Sequence, residues 1–123
     1  MVPSLGEKLT LHVITHSHLD AGWVFNVDEC YTVVKEIFSG VLEQLLLRPE
    51  RTYTIGDIYF FKRWFLNDTT EEQRKLVRAL FLTGQLELVH GGAVSADEQT
   101  CSADDLIDNV SFVRGWIVNE FGI

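Results

Sequence analysis

Cysteine is scarce in this sequence, and no segment for targeting or membrane insertion is visible. The two cysteines, Cys30 and Cys101, form no CxxC spacing and no disulfide framework, so they can be free or paired. No apolar run approaches the roughly 20 residues of a membrane-spanning helix. The first residues show no basic region followed by an apolar stretch, so no signal peptide is predicted. These absences leave the redox compartment open.

Positive charge is also scarce. Lys and Arg number 10 and Asp and Glu number 18, which gives a formal net charge of −8. This balance argues against nucleic acid or an anionic membrane surface as a partner, because both repel a negative protein. A neutral ligand such as a sugar fits better. With 123 residues, 46% of them hydrophobic and 23% charged, the chain has the size and composition of one globular domain.

The sequence alternates between strand patterns and helix patterns. Strands are predicted over residues 9–15, 51–55 and 86–90, and the first of them is predicted to be buried. The order strand, helix, strand, helix, helix, strand, helix predicts an α/β fold with a parallel sheet and crossover connections. Three strands leave the sheet edges open, and the chain stops where another strand is due. We therefore expect part of a larger α/β domain.

Four helices are predicted from apolar residues at helical spacing, from aromatic content and from start and stop signals. The first follows Asn26 and is stopped by Pro49, and an aromatic second helix covers residues 57–66. A capping box opens the third helix at Thr70, and Gly84 ends it. The last helix starts at Ser102, and its apolar residues recur at helical spacing, namely Leu106, Val110, Val113 and Ile117.

Polar residues follow each predicted strand. They are residues 16–20, the pair Gly56-Asp57, and the stretch from Gly91-Gly92 to Asp97-Glu98. In parallel α/β folds the active site gathers at the carboxyl ends of the strands. We therefore expect these three groups to converge on one functional face of the sheet.

His18 and Asp20 are the main candidates for metal binding. Residues two apart in an extended segment point to the same side, so both side chains can reach one ion, and the same holds for His16 and His18. Imidazole nitrogen and carboxylate oxygen suit zinc. The alternative is that these polar residues only cap the following helix and line a solvated loop.

The other candidates also have structural alternatives. Trp23 can offer a flat apolar platform to a sugar ring, although spacing alone favours packing in the core. Asp97 and Glu98 can be charges near a helix start, where the helix dipole favours them. His12 and His90 lie within predicted strands, where packing is the expected role.

The string HSHLDAGW at residues 16–23 resembles the HSHxDxGW signature of the Golgi and lysosomal type of α-mannosidase, a family of zinc-dependent retaining glycoside hydrolases. Two more segments continue the likeness in order, FFKRWF at residues 60–65 and GQLELVHGG at residues 84–92, with Asp97-Glu98 after it. Together these matches span almost the whole chain. They are specific, whereas HxHxD alone is shared with unrelated metal hydrolases.

The resemblance implies that residues 1–123 are the amino-terminal part of a (β/α) barrel-like catalytic domain. It assigns zinc to His18 and Asp20 and places Trp23 in the mannose site. In that family zinc contacts sugar hydroxyls and does not make the attacking hydroxide. The nucleophile and the general acid are expected beyond Ile123, so the chain alone is predicted to be inactive. Leu19, Ala21 and Ala93 depart from the family pattern, which affects the pocket wall but spares the matched ligands.

The implied partners are a mannose-containing oligosaccharide and the rest of the same polypeptide. The resemblance suggests the Golgi, the lysosome or vacuole, or the secretory pathway, and N-glycosylation triplets at Asn67 and Asn109 agree weakly with this. Two alternatives stay open. One is a metal hydrolase of the amidohydrolase type, which would use His16 and His18, and the other is a non-catalytic sugar-binding module.

Overall fold

Four helices and two short strands make up the part of the chain that the computed structural model describes, residues 8–123. In chain order they are α1 (Val27–Leu47), β1 (Tyr53–Ile55), α2 (Ile58–Asn67), α3 (Glu71–Leu82), β2 (Leu86–Leu88) and α4 (Ala103–Phe121). The predicted α/β class and the four predicted helices are confirmed. The prediction about a signal peptide concerns the first residues, which lie outside the described part.

Two further observations concern the whole described part. Cys30 and Cys101 are both free thiols. Within residues 8–123, no helix has the length and apolar character that crossing a lipid bilayer requires.

Three of the helices begin with a capping box, which explains why the sequence could place their starts. The side chain of Asn26 accepts hydrogen bonds from the backbone N–H groups of Asp28 and Glu29. Thr70 and Ser102 cap α3 and α4 in the same way. In each case the side chain of the third helical residue accepts a hydrogen bond from the backbone N–H of the cap residue. Each cap satisfies N–H groups that have no partner within the helix, which stabilises the start by about 1 kcal/mol.

β1 and β2 pair in parallel and form an open two-stranded sheet. Tyr53 lies opposite Leu86, and Ile55 lies opposite Leu88. α2 and α3 connect the two strands, so the predicted crossover between parallel strands is present. A barrel-like sheet is not formed within residues 8–123.

The predicted buried strand over residues 9–15 is wrong. This segment meets β1 only at its end, where the backbone N–H of Thr54 donates to the carbonyl of Thr15 (2.8 Å) and His16 forms a single parallel bridge with Thr54. The apolar side chains of the segment are 70–82% exposed, namely Leu9, Leu11, Val13 and Ile14. Alternation alone predicted the strand, but a strand is stabilised by packing, and these side chains find none in the described part of the chain.

The third predicted strand ends at Leu88, two residues early. His90 has a φ of 71°, in the left-handed region, so the chain turns there and the strand cannot continue. The packed roles predicted for His12 and His90 are also wrong, because both residues are exposed.

The main core is built around α2, whose aromatic residues were predicted to be buried. Phe60, Phe61 and Phe65 are at most 1% exposed. Rings from α1, α3 and α4 surround α2 with centroid distances of 5.5–6.1 Å from Phe61 or Phe65. In α4 the predicted apolar face is confirmed at Val113 and Ile117, which are 0% and 9% exposed, whereas Val110 is 39% exposed.

Tyr31 is a buried residue whose hydroxyl joins α1 to the end of α2. The hydroxyl donates a hydrogen bond to the carboxylate of Asp68, and the guanidinium of Arg63 lies 4.0 Å from the centre of the ring. Burial, followed by the hydrogen bond to Asp68, raises the pKa of Tyr31 above its ordinary value. The folded state therefore favours the neutral hydroxyl.

Replacing Tyr31 by phenylalanine should lower the free energy of unfolding by about 1–2 kcal/mol at neutral pH, because a hydrogen bond to a charged group is lost. The pKa of Tyr31 is raised on folding, so its contribution is complete below pH about 10 and declines as pH rises above that value. Urea unfolding from pH 8 to 11 should show a weaker alkaline decline in Tyr31→Phe than in the wild type. Tyr53→Phe is the control, since its hydroxyl makes no hydrogen bond among the described residues. An equal alkaline decline in wild type and Tyr31→Phe would contradict the prediction.

Candidate functional site

The three predicted polar groups meet at Asp57, at the carboxyl end of the sheet. Asp57 follows β1 directly, and its carboxylate accepts a hydrogen bond from the backbone N–H of Leu19 (3.0 Å) in the signature segment. The same carboxylate accepts two bonds from Ser95, one from the backbone N–H (2.9 Å) and one from the hydroxyl (2.8 Å). The signature segment, the end of β1 and the loop after β2 are therefore tied to one buried side chain. The predicted convergence is confirmed for these three segments.

His18 and Asp20 face each other at this edge of the sheet. Nε2 of His18 lies 3.0 Å from Oδ1 of Asp20, and the two side chains are 63% and 46% exposed. Leu19, between them, points the opposite way and is 8% exposed in the main core. The alternation that the sequence predicted is thus present: the two polar side chains lie on the open side and the apolar one lies in the core.

His16 does not join this pair. Among residues 8–123, no three His, Cys, Asp or Glu side chains lie close enough together to hold one metal ion. The backbone of His16 pairs with Thr54 instead. The described chain therefore offers two ligand atoms in one place.

Trp23 lies in the loop between the pair and α1, and its side chain is 82% exposed. The loop turns at Gly22, whose φ of 98° is one that residues with a side chain rarely adopt. A backbone hydrogen bond from Trp23 to the carbonyl of Phe25 (3.1 Å) closes the turn. Core packing, which spacing alone favoured for Trp23, is not observed, so the indole is accessible to a ligand.

Asn109 fixes the loop after β2, a role that the sequence did not indicate. Its side-chain oxygen accepts from the backbone N–H of Val94 (3.0 Å), and its side-chain nitrogen donates to the carbonyl of Val94 (2.9 Å). A Cβ atom on Gly92 would lie 2.5 Å from that nitrogen, so a side chain there would force the Asn109 amide to shift. The sequence showed Asn109 only within a glycosylation triplet, and the folded chain uses its amide internally.

Asp97 and Glu98 are exposed and lie on the loop before α4. The carboxylate of Asp97 accepts from the backbone N–H of Gln99 (3.1 Å), a local turn contact. Of the residues that depart from the family pattern, Leu19 and Ala93 are each 8% exposed and pack into the two apolar clusters. Ala93 lies between α2 and α4. Its carbonyl accepts a hydrogen bond from the backbone N–H of Tyr59 (2.8 Å), and its N–H donates to the backbone carbonyl of Asn109 (3.0 Å).

These observations describe the class of protein: an α/β chain that carries a histidine–carboxylate pair and an accessible tryptophan at the carboxyl edge of its sheet. The family described as "Glycosyl hydrolases family 38 N-terminal domain" matches residues 8–123. The chain therefore belongs to glycosyl hydrolase family 38, and the resemblance found in the sequence is confirmed. This membership does not support the amidohydrolase alternative.

Three relatives illustrate the similarity. Alpha-mannosidase D of Dictyostelium discoideum is 38% identical over 90% of this chain and 9% of its own length. The lysosomal alpha-mannosidase of the same organism is 35% identical over 98% of this chain and 13% of its own length. The lysosomal alpha-mannosidase of Bos taurus is 32% identical over 94% of this chain and 12% of its own length. The chain thus spans about an eighth or less of the relatives it matches.

Proposed function

We propose that the whole protein to which this chain belongs hydrolyses terminal α-linked mannose in oligosaccharides or glycoproteins, with zinc and with retention of configuration. The observation that carries the proposal is the His18–Asp20 pair, whose facing atoms lie 3.0 Å apart. It occupies the position that the family signature gives to metal ligands. The relatives, which are named α-mannosidases, support the substrate class.

The donor chemistry of the pair fits zinc. Bonds of about 2.0–2.2 Å in a tetrahedral arrangement place two ligand atoms roughly 3.3–3.6 Å apart. Nε2 of His18 and Oδ1 of Asp20 are 3.0 Å apart and accessible to solvent, so a small movement would admit an ion. Bound zinc would supply a Lewis acid that contacts sugar hydroxyls.

Trp23 is proposed to form the apolar wall of the mannose site. It follows Asp20 by three residues, and its indole is exposed on the turn that Gly22 makes. A sugar ring presents C–H groups on one face, and an exposed indole can cover that face without competing for its hydroxyls. The pair would then contact hydroxyls, and Trp23 would contact the ring.

The two carboxyl groups of the reaction are proposed to come from other parts of the whole protein. A retaining enzyme places its nucleophile and its acid about 5–5.5 Å apart across the glycosidic bond. Asp20 faces His18, and the buried carboxylate of Asp57 accepts three hydrogen bonds. Neither is therefore proposed as the nucleophile or the acid. We propose that the remaining part also extends the open sheet into a barrel-like catalytic domain.

Hydrolysis of an aryl α-mannoside by the purified whole protein tests this proposal. The expected result is turnover of the α-mannoside but not of the β-mannoside, with α-mannose as the first product in the NMR spectrum. Dialysis against a chelator should abolish turnover, and added zinc should restore it. The 123-residue chain alone should be inactive and serves as the matched control.

Each contrary outcome points to a different correction. First release of β-mannose would overturn retention, and activity unaffected by zinc removal would overturn the metal. Binding of mannose without turnover by the whole protein would support the sugar-binding module. Robust turnover by the 123-residue chain would show that the catalytic carboxylates lie within it.

Zinc should bind the 123-residue chain itself only weakly. Structural and catalytic zinc sites use three or four protein ligands, and the described chain brings only His18 and Asp20 together. Calorimetric titration at neutral pH should therefore give a dissociation constant far above that of the whole protein. Tight stoichiometric binding that His18→Ala removes would show a complete site in this chain.

A further inference from the structure

Asp57 lies at the N-cap of α2 but does not cap that helix. Its carboxylate makes no hydrogen bond to an N–H group of the first turn of α2, although aspartate at this position usually does. The N–H of Tyr59 in that turn donates instead to the carbonyl of Ala93 (2.8 Å). Asp57 is 4% exposed, so a carboxylate is buried here and its bonds go to other segments.

We propose that Asp57 is a positioning residue for the metal-binding pair His18 and Asp20. One carboxylate oxygen accepts from the backbone N–H of Leu19, which is the residue between the two (3.0 Å). This bond fixes the backbone from which both side chains extend. The side chain of Leu19, 8% exposed in the core, fixes the same residue from within. With Leu19 held at two points, the flanking side chains are kept on the open side.

The second oxygen of Asp57 connects the pair to the loop after β2. It accepts two bonds from Ser95, through the backbone N–H (2.9 Å) and the hydroxyl (2.8 Å). Asn109 holds the preceding residue, Val94, by two further bonds. The position of the pair is therefore fixed by α4 and by the loop after β2, and not only by its own segment.

A buried carboxylate with three donors could also act only in folding, so the two roles must be separated. Asp57→Asn keeps the size of the side chain but has one acceptor oxygen and one NH2 group. Because Ser95 offers two donors and Leu19 offers one, the amide oxygen should turn toward Ser95. The NH2 group would then face the N–H of Leu19, and that bond would be lost.

The test measures amide exchange by NMR in the 123-residue chain and zinc affinity by titration of the whole protein, in which the proposed site is complete. In the wild type the Leu19 amide should exchange more than about tenfold more slowly than that of Asp20, which makes no hydrogen bond in the described part. Asp57→Asn should remove this protection and weaken zinc binding by about 10- to 100-fold. Asp57→Glu keeps two acceptor oxygens, so it should retain more of the Leu19 protection and more of the zinc affinity than Asp57→Asn does.

Two control variants separate positioning from folding. Ser95→Ala removes one of the three bonds to Asp57 but leaves the bond from Leu19. It should therefore lower stability, retain most of the Leu19 protection and weaken zinc binding much less than Asp57→Asn does. Asp108→Asn removes an equal charge at an exposed site of α4 and should change neither readout. If Asp57→Asn does not fold, amide exchange in the wild type tests the proposal. A Leu19 amide that exchanges as fast as the amide of Asp20 would overturn it.

The proposal rests on the proposed zinc site, and the two can fail separately. If neither the wild-type 123-residue chain nor the whole protein binds zinc, the zinc site is overturned. The loss of Leu19 protection in Asp57→Asn would still support positioning of the pair. If Asp57→Asn folds and leaves both the Leu19 protection in the chain and the zinc affinity of the whole protein unchanged, the positioning role is overturned.

Discussion

Replacing Phe61 by alanine is expected to lower the free energy of unfolding by about 3–5 kcal/mol, the range for large aromatic truncations in a packed core. Phe61 is 1% exposed. Its ring lies 5.7–6.1 Å, centre to centre, from six other aromatic rings, those of Phe38, Trp64, Phe65, Phe81, Trp116 and Phe121. These rings come from all four helices, so the cavity cannot be closed by the movement of a single element.

The loss would consume most of the stability of a small domain, which is about 5–15 kcal/mol in total. Urea unfolding followed by circular dichroism measures the effect. Phe25→Ala makes the same chemical change at a residue that is 63% exposed, and it should alter stability by less than about 0.5 kcal/mol. Similar midpoints for Phe61→Ala and Phe25→Ala would contradict the described core.

The second large effect concerns metal content. On the proposed zinc site, His18→Ala or Asp20→Ala in the whole protein should weaken zinc binding by more than about 100-fold, since changes beside the ligands alone cost about 10–100-fold. Activity should fall with the zinc. Metal analysis after dialysis against a defined free zinc concentration measures the change, together with hydrolysis of an aryl α-mannoside.

His12→Ala is the matched control for these variants. The packed role that the sequence predicted for His12 would make this variant unstable, but His12 is exposed in the structure. We therefore expect His12→Ala to leave the stability of the 123-residue chain unchanged, and to leave the zinc content and activity of the whole protein normal. Normal zinc content in Asp20→Ala would overturn the ligand assignment, whatever the control shows.

The helices could be predicted because their signals are local. Thr70 and Ser102 mark helix starts in the sequence, and in the structure they satisfy N–H groups within three residues of themselves. The first helix was predicted from apolar residues at helical spacing after Asn26, which is also a local pattern. The aromatic run in α2 was predicted to be buried for a similar reason, since such rings rarely remain exposed over two helical turns. Neither inference needed knowledge of a distant segment.

The strands were harder to predict because their stability comes from partners far along the chain. Residues 9–15 have the alternation of a strand, but only Thr15 and His16 contact β1. His90 follows a strand pattern in the sequence, yet its φ of 71° turns the chain there. After the turn, the N–H of Gly92 donates to Nδ1 of His90, and Gly92 lies beside the side chain of Asn109. Backbone angles of this kind depend on tertiary contacts that no local pattern records.

The sequence by itself determined the family, the α/β class, the four helices and the pairing of His18 with Asp20, because these follow from motifs and from spacings of two to four residues. The tertiary structure decided that Trp23 is exposed and that residues 9–15 do not form a buried strand. It also decided that Asp57 binds Leu19 and Ser95, each 38 positions away, instead of capping α2. A buried carboxylate must find donors wherever the fold brings them, and only the packing of distant segments shows which donors those are.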